Sequence, residues 1–341
     1  MPVFTTDGTE NRMMWDRRSA GFMEAWYVTL NHGPSGAGIW LRYTITSPRS
    51  RTEPPVCELW AFLFDRDKGP VFAAKNRHSI DLLGGPNGRD DGALVRIGNA
   101  WLSETHMEGE VSDEGSSMSW SLDLEPAVRC FHHIPSRLRR RAERRFTLVC
   151  TPNLSVPFTG TVKLGDQLYE FTGEVGQQGH RWGRAHAPSW AWAHCSDFGS
   201  DDDAVFEALG ARSSVGPVPV PTMHLIYLRH EGEDMTFNQF EWALRARGRY
   251  EMSTWAFSAR NDYWRIAGAA RTGVDRMVQV TYTDPDGSKR FCANSEVADL
   301  GIEIYRRSGA AWLHHASLTS LRKAHLEFGR RDSFVELPVS L

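Results

Sequence analysis

The sequence predicts an all-β protein, two antiparallel β-barrels in tandem with little helix, and three observations carry that prediction. Strand-length apolar runs are parted by turn residues along most of the chain, helical spacing is scarce, and one opening unit recurs at about half the chain length. A chain of 341 residues suits two domains or one large β unit and is long enough to bury a sizeable core.

The recurring unit begins with the aromatic strand Glu24-Ala25-Trp26-Tyr27-Val28-Thr29-Leu30, followed by a Gly/Pro/Ser turn and strands at Gly38 to Ile45 and Glu58 to Phe64. Its second copy begins with Ser189-Trp190-Ala191-Trp192-Ala193-His194-Cys195. An acidic turn at Asp201-Asp202-Asp203 follows, then strands at Ala204 to Ala211 and Met223 to Leu228. A boundary near residue 175 follows, dividing the chain into an N-terminal barrel, 1–175, and a C-terminal barrel, 176–341. Hairpins are expected where turn residues interrupt strand pairs. Thr159 to Leu164 and Leu168 to Thr172 bracket Gly165-Asp166, and Arg249 to Ala259 and Tyr263 to Arg271 are parted by Asn261-Asp262. Val278 to Tyr282 and Lys289 to Ala293 flank Asp284-Pro285-Asp286-Gly287-Ser288. The clearest helical candidate is Ser136 to Arg145, whose six arginines leave only Leu138 and Ala142 apolar; it reads as a solvated helix or linker.

Composition excludes several classes of function. Lys+Arg 39 against Asp+Glu 42 gives a formal charge of -3, so no global field favours nucleic acid. No segment approaches the roughly 20 consecutive apolar residues of a membrane helix. The amino terminus lacks the basic and apolar regions of a secretory signal, and a cytoplasmic location is expected. The five cysteines, Cys57, Cys130, Cys150, Cys195 and Cys292, have no short paired spacing and read as reduced, buried thiols. Gly84-Gly85-Pro86-Asn87-Gly88 lacks the lysine of a phosphate loop and reads as a turn, as does the acidic run 201–203. The oligomeric state is left open.

The chemistry-bearing stretch runs from Glu174 to His194 and holds three histidines and three tryptophans within fifteen residues. Its His180-Arg181-Trp182-Gly183 element, followed by Trp190-Ala191-Trp192, resembles the signature of the hydroxyneurosporene synthase (carotenoid hydratase), tocopherol cyclase and AttH-like group. Trp26-Tyr27 and the hairpin end Cys292-Ala293-Asn294-Ser295-Glu296 are similar to that group as well. The resemblance implies lipocalin-like barrels with a pocket, in or between them, for an apolar isoprenoid or polyketide. Relatives hydrate a polyene, close a chromanol ring or promote an intramolecular cycloaddition. Their signature often places Asp or Glu before the histidine, where this chain has Gly179.

The expected function is a cofactor-independent hydratase or cyclase acting on an apolar small molecule, with a non-catalytic carrier as the alternative. His180 is the preferred proton or hydrogen-bond donor, His194 brackets the pocket, and Glu174 is the reserve acid. Trp26, Tyr27, Arg181, Trp182, Trp190, Trp192 and Asn294 are the expected substrate contacts, because aromatic faces shape an apolar ligand and shield developing positive charge. Trp40, Trp60, Trp120, Trp242, Trp255 and Trp264 read as barrel-core fillers. His180, His186 and His194, with Cys195, His132 and His133 as spare ligands, match no closed zinc spacing, so no metal is expected.

Overall fold

The computed structural model describes residues 4–5, 9–84, 92–134, 147–215, 218–337 and 341. The helical candidate 136–145 and all but the first residue of the glycine-rich run 84–88 lie outside the described residues. Among the described residues strand accounts for 66% and helix for 4%, so the expectation of very little helix holds. Among the described residues the α-helix is a single turn, Phe240–Ala243.

Two antiparallel sheets share one plan. In the first, the opening strand Phe22–Asn31 pairs on one side with Gly38–Ser47 and on the other with Gln167–Gly183. In the second, Ser189–Cys195 pairs likewise with Val205–Val215 and with Ala311–Arg330. In both, the next strands extend the sheet outward as a meander, through Val56–Asp65 and Gly69–Ser79 in one and Val218–His230 and Glu233–Thr236 in the other. The strands read as copies in the sequence therefore occupy equivalent places. Residue 175 lies inside Gln167–Gly183, so sheet membership changes between Gly183 and Ser189.

The first sheet curls into a nearly closed antiparallel barrel. Asn76 ties the end strand Gly69–Ser79 to the strand His106–Asp113: its Nδ2 donates to the carbonyl of Ser112 at 2.8 Å and its Oδ1 accepts from the Ser112 amide at 3.0 Å. This side chain supplies the pair of bonds that a neighbouring strand would otherwise make. The hairpins at Gly165-Asp166 and at 284–288 form as expected. The run 249–259 does not form one strand. Ser253 takes φ 71° and turns the chain between Arg247–Glu251 and Thr254–Arg260, so three short strands replace the two expected.

Alternation along the strands separates core from interface. Trp26, Val28 and Leu30 join Ile39, Leu41, Tyr43 and Trp120 inside the first barrel, while Ala191, Ala193, Phe206, Trp255 and Trp264 pack inside the second. The opposite faces meet. Trp40, Trp60, Phe62 and Phe64 of the first unit pack with Trp190, Trp192, Val278, Val280 and Tyr282 of the second. Trp40 and Trp60 are thus interface residues, and Trp242 is half-buried on the short helix; only Trp120, Trp255 and Trp264 of the six are core fillers.

The units approach closely at Gly38, where a Cβ would lie 2.5 Å from the carbonyl oxygen of Glu296. Backbone on both sides cannot yield as a flexible side chain would. Gly38→Ala is expected to cost about 1–3 kcal/mol, the range for overpacking. Gly301, with open space around its Cβ position, is the control, and Gly301→Ala should stay within about 0.5–1 kcal/mol of wild type. Urea midpoints measure both; equal midpoints for the two variants contradict the packing described.

Candidate functional site

Strand alternation divides the histidine-rich stretch between two buried clusters. His180 points into the end of the first barrel, where its ring stacks on Trp26 at 4.6 Å and 8° from parallel and lies 4.8 Å from Trp182. Its Nδ1 donates to the carbonyl of Glu10 at 2.6 Å, and its Nε2 is 2.9 Å from Glu24 Oε1. Glu24 also accepts the amides of Met14 and Trp15. The carboxylate absent from position 179 in the sequence is thus supplied across the sheet by Glu24. Both nitrogens of His180 are engaged, and the ring is fully buried.

The second cluster is centred on Glu207, a fully buried carboxylate between the units. His133 Nε2 donates to Oε1 at 2.7 Å and Trp192 Nε1 at 2.8 Å. Gln177 Nε2 donates to Oε2 at 2.6 Å and His194 Nδ1 at 3.1 Å. Burial by itself raises a carboxyl pKa, but the hydrogen bonds from His133 and His194 overcome it and hold Glu207 at about 2. Burial lowers His194, against the opposing pull of Glu207, and favours its neutral form. With Nδ1–H held by the carboxylate, the lone pair lies on Nε2, which has no hydrogen-bond partner among the described residues. His194 stacks on His325 at 5.7 Å and 16°, and His325 Nδ1 in turn bonds Glu296 Oε2.

Around this centre, Tyr27 meets Trp192 edge-on at 6.0 Å. Gly179 makes room for that phenol, since a Cβ there would fall 2.2 Å from the ring. Asn294 is fully buried, and neither atom of its amide has a partner among the described residues. Trp190 donates to Glu327 at 2.5 Å and stacks with His186 and Tyr282. A cleft beside it is lined by Glu24, Arg42, Glu58, Arg181, His186 and Tyr282 among others.

The sequence-derived candidates therefore separate. His180, Trp26 and Trp182 share the first cluster; His194, Trp190, Trp192, Tyr27 and Asn294 belong to the interface; Arg181 lines the cleft. Glu174 joins none of these. Its Oε2 accepts the Thr172 amide across a bulge at Gly173, six residues along the strand from His180 and thus roughly 20 Å away. His180, His186 and His194 pair with three different carboxylates, Glu24, Asp284 and Glu207. Cys130, His132 and Cys150 bring ligand atoms within 4.8 Å of one another and form a buried set able to hold a metal ion. Hydrogen bonding from Cys150, with help from His132, pulls the Cys130 thiol down to about 7. Sequence reasoning missed Glu207, His325 and Glu296, whose relation to His194 arises from cross-strand register. Glu24 lies two residues before Trp26, on the same strand face, and that spacing could have found it.

Comparison with known proteins bears on the family and the fold. The family model described as tocopherol cyclase-like matches residues 101–330. An uncharacterized protein of Mycobacterium tuberculosis, present in two strains, is 26% identical over 321 residues, which span 93% of this chain and 89% of its own. Among solved structures, an AttH candidate from Nitrosomonas europaea superposes with TM-score 0.55 and 12% identity over 91% of this chain and 93% of its own. Kievitone hydratase from Nectria haematococca gives 0.50 and 9%, over 91% and 89%. At these identities the structural likeness establishes the shared fold.

The buried ionisable groups set an acid limit on stability. Burial, reinforced by the charge of Arg181, lowers His186 from its ordinary 6.5 to about 4. Within that window the unfolded chain takes up a proton that the folded protein refuses, so stability falls as pH falls. Glu207, ordinarily 4.5 and held at about 2, extends the loss in the same direction below pH 4.5. Urea midpoints should decline steadily from neutral pH to pH 4, and His186→Gln should make the decline shallower. A profile independent of pH across this range contradicts the assignment.

Proposed function

Because this chain belongs to the tocopherol cyclase-like family, we propose that it is a hydratase or cyclase acting, without a cofactor, on an apolar unsaturated isoprenoid or polyketide-type molecule held between its two barrels. The barrel interiors are filled by their own aromatic and aliphatic side chains, which favours the interface as the reaction site. The observation that carries the proposal is His194, whose Nδ1–H is held by the Glu207 carboxylate while its Nε2 is left unpartnered among the described residues. A carboxylate that fixes the tautomer of an imidazole leaves the other nitrogen available as a general base.

In the hydration form of this reading, His194 Nε2 takes a proton from the attacking water, and the stacked His325–Glu296 pair returns one to the substrate. In cyclisation the same pair moves a proton between a hydroxyl and the double bond it attacks. The faces of Trp192 and Tyr27 would shield a developing cation. His180 becomes a positioning residue, because both its nitrogens are committed to Glu10 and Glu24. That another protein of this fold is a hydratase supports the reaction class.

Assay against a panel of polyenes and prenylated aromatics tests the reading. On any substrate the wild type converts, His194→Gln is expected to lower kcat about 100-fold or more while binding is retained, the size of one general acid or base. Glu207→Gln should act in the same direction. Full turnover by His194→Gln removes it from the mechanism, and saturable binding with no turnover by wild type would replace the enzyme with a carrier.

A further inference from the structure

Arg42 is only 2% exposed, yet among the described residues its guanidinium makes no hydrogen bond or ion pair, and its Nη1 is buried without a partner. Three aromatic faces surround it: Tyr282 at 4.6 Å, Trp60 at 4.9 Å and Trp40 at 5.0 Å. Arg181 is half-buried, lies 5.0 Å from the same Tyr282 ring, and likewise has no ion pair among the described residues. Lys75 adds a third positive charge, 4.7 Å from Trp60. The neighbouring carboxylates have other partners. Glu58 accepts from Trp60, Glu327 from Trp190, and Asp284 from His186 and Arg290.

Aromatic faces supply at most a few kcal/mol toward holding a cation, whereas a buried charge lacking an anionic partner is strongly destabilising. Two guanidinium forks converging on one cleft match the bidentate geometry of a carboxylate. The unpartnered Nε2 of His186, whose Nδ1 is bonded to Asp284, borders the same cleft.

We infer that Arg42 and Arg181 form a carboxylate-binding site in the cleft between the barrels, and that the molecule processed by this protein carries an ionised carboxylate on its apolar frame. This substrate class rests on the enzyme reading above; the anion site itself rests on the arginines. The aromatic walls around Arg42 would pack the unsaturated part nearest the carboxylate. The reacting bond would lie farther along, toward Trp192 and His194.

The test is calorimetric titration of the full chain with trans-cinnamate, with its neutral counterpart cinnamyl alcohol, and with inorganic phosphate. Cinnamate should bind saturably and at least about tenfold more tightly than the alcohol, as expected for a charge-assisted pair worth about 1.4 kcal/mol or more. Arg181→Gln and Arg42→Gln should each remove that preference while leaving the alcohol's affinity within about twofold. In chloride-only buffer Arg42→Met should unfold at a urea midpoint equal to or above wild type, since it removes an uncompensated charge. Equal affinity for acid and alcohol, undiminished cinnamate binding in Arg181→Gln, or no binding of cinnamate overturns the proposal. Binding of phosphate alone replaces a substrate carboxylate with a free oxyanion and overturns it too. A markedly lower midpoint for Arg42→Met shows that the protein itself partners the guanidinium, and likewise overturns it. Turnover is a separate readout: arginine-dependent cinnamate binding by a protein inactive on every substrate keeps the site and removes the enzyme, and turnover indifferent to Arg42 and Arg181 does the reverse.

Discussion

A single ionised carboxylate, Glu207, buried between the two barrels, governs the arrangement of everything around it. Removing such a group from water costs several kcal/mol even after relaxation, and only a full set of donors offsets it. Here the donors come from both units: His133 and Gln177 from the first, Trp192 and His194 from the second. Correct docking is therefore a condition for the charge to be tolerated, and the tautomer of His194 follows from it. The aromatic rings of the interface then close around a polar centre.

The two-residue period of the strands explains why chemistry concentrates at the interface. Each opening strand sends one set of side chains inward, where they fill the barrel, and the other outward to meet the second unit. Polar groups placed outward on an isolated barrel would be solvated. Pressed together, they become a buried network in which His194, Asn294 and Arg42 keep atoms without partners among the described residues. Each such atom is costly for folding and available to a bound molecule.

Much of this was legible in the sequence. Turn residues located the hairpins, and the repeated aromatic strand anticipated two sheets of the same plan. The composition of Glu174 to His194 singled out the stretch whose histidines the fold buries beside carboxylates. Pairing across strands was not legible, because register is a tertiary property: nothing local to His180 names Glu24, and nothing local to His194 names His325. The same limit assigned Trp40 and Trp60 to a core. Period two shows that alternate residues share a face, but it does not reveal that both faces of a strand are buried. Glu174 failed for a local reason, since it flanks a bulge at Gly173 where the ladder is disrupted, and its carboxylate holds the Thr172 amide there.

The closure of each sheet by its last long strand bears on how the chain comes together during synthesis. Phe22–Asn31 waits for Gln167–Gly183, and Ser189–Cys195 waits for Ala311–Arg330, so both closures join residues far apart in sequence, the slow class of contact. The ribosome releases every strand of the first sheet before Ser189 follows, so the earlier barrel can be complete while the later one is still emerging. Until Glu207 arrives, His133 and Gln177 present waiting donors on its flank. In a crowded polysome the first Glu207 to reach them can belong to another chain, which makes an exchanged dimer the characteristic misassembly of this architecture.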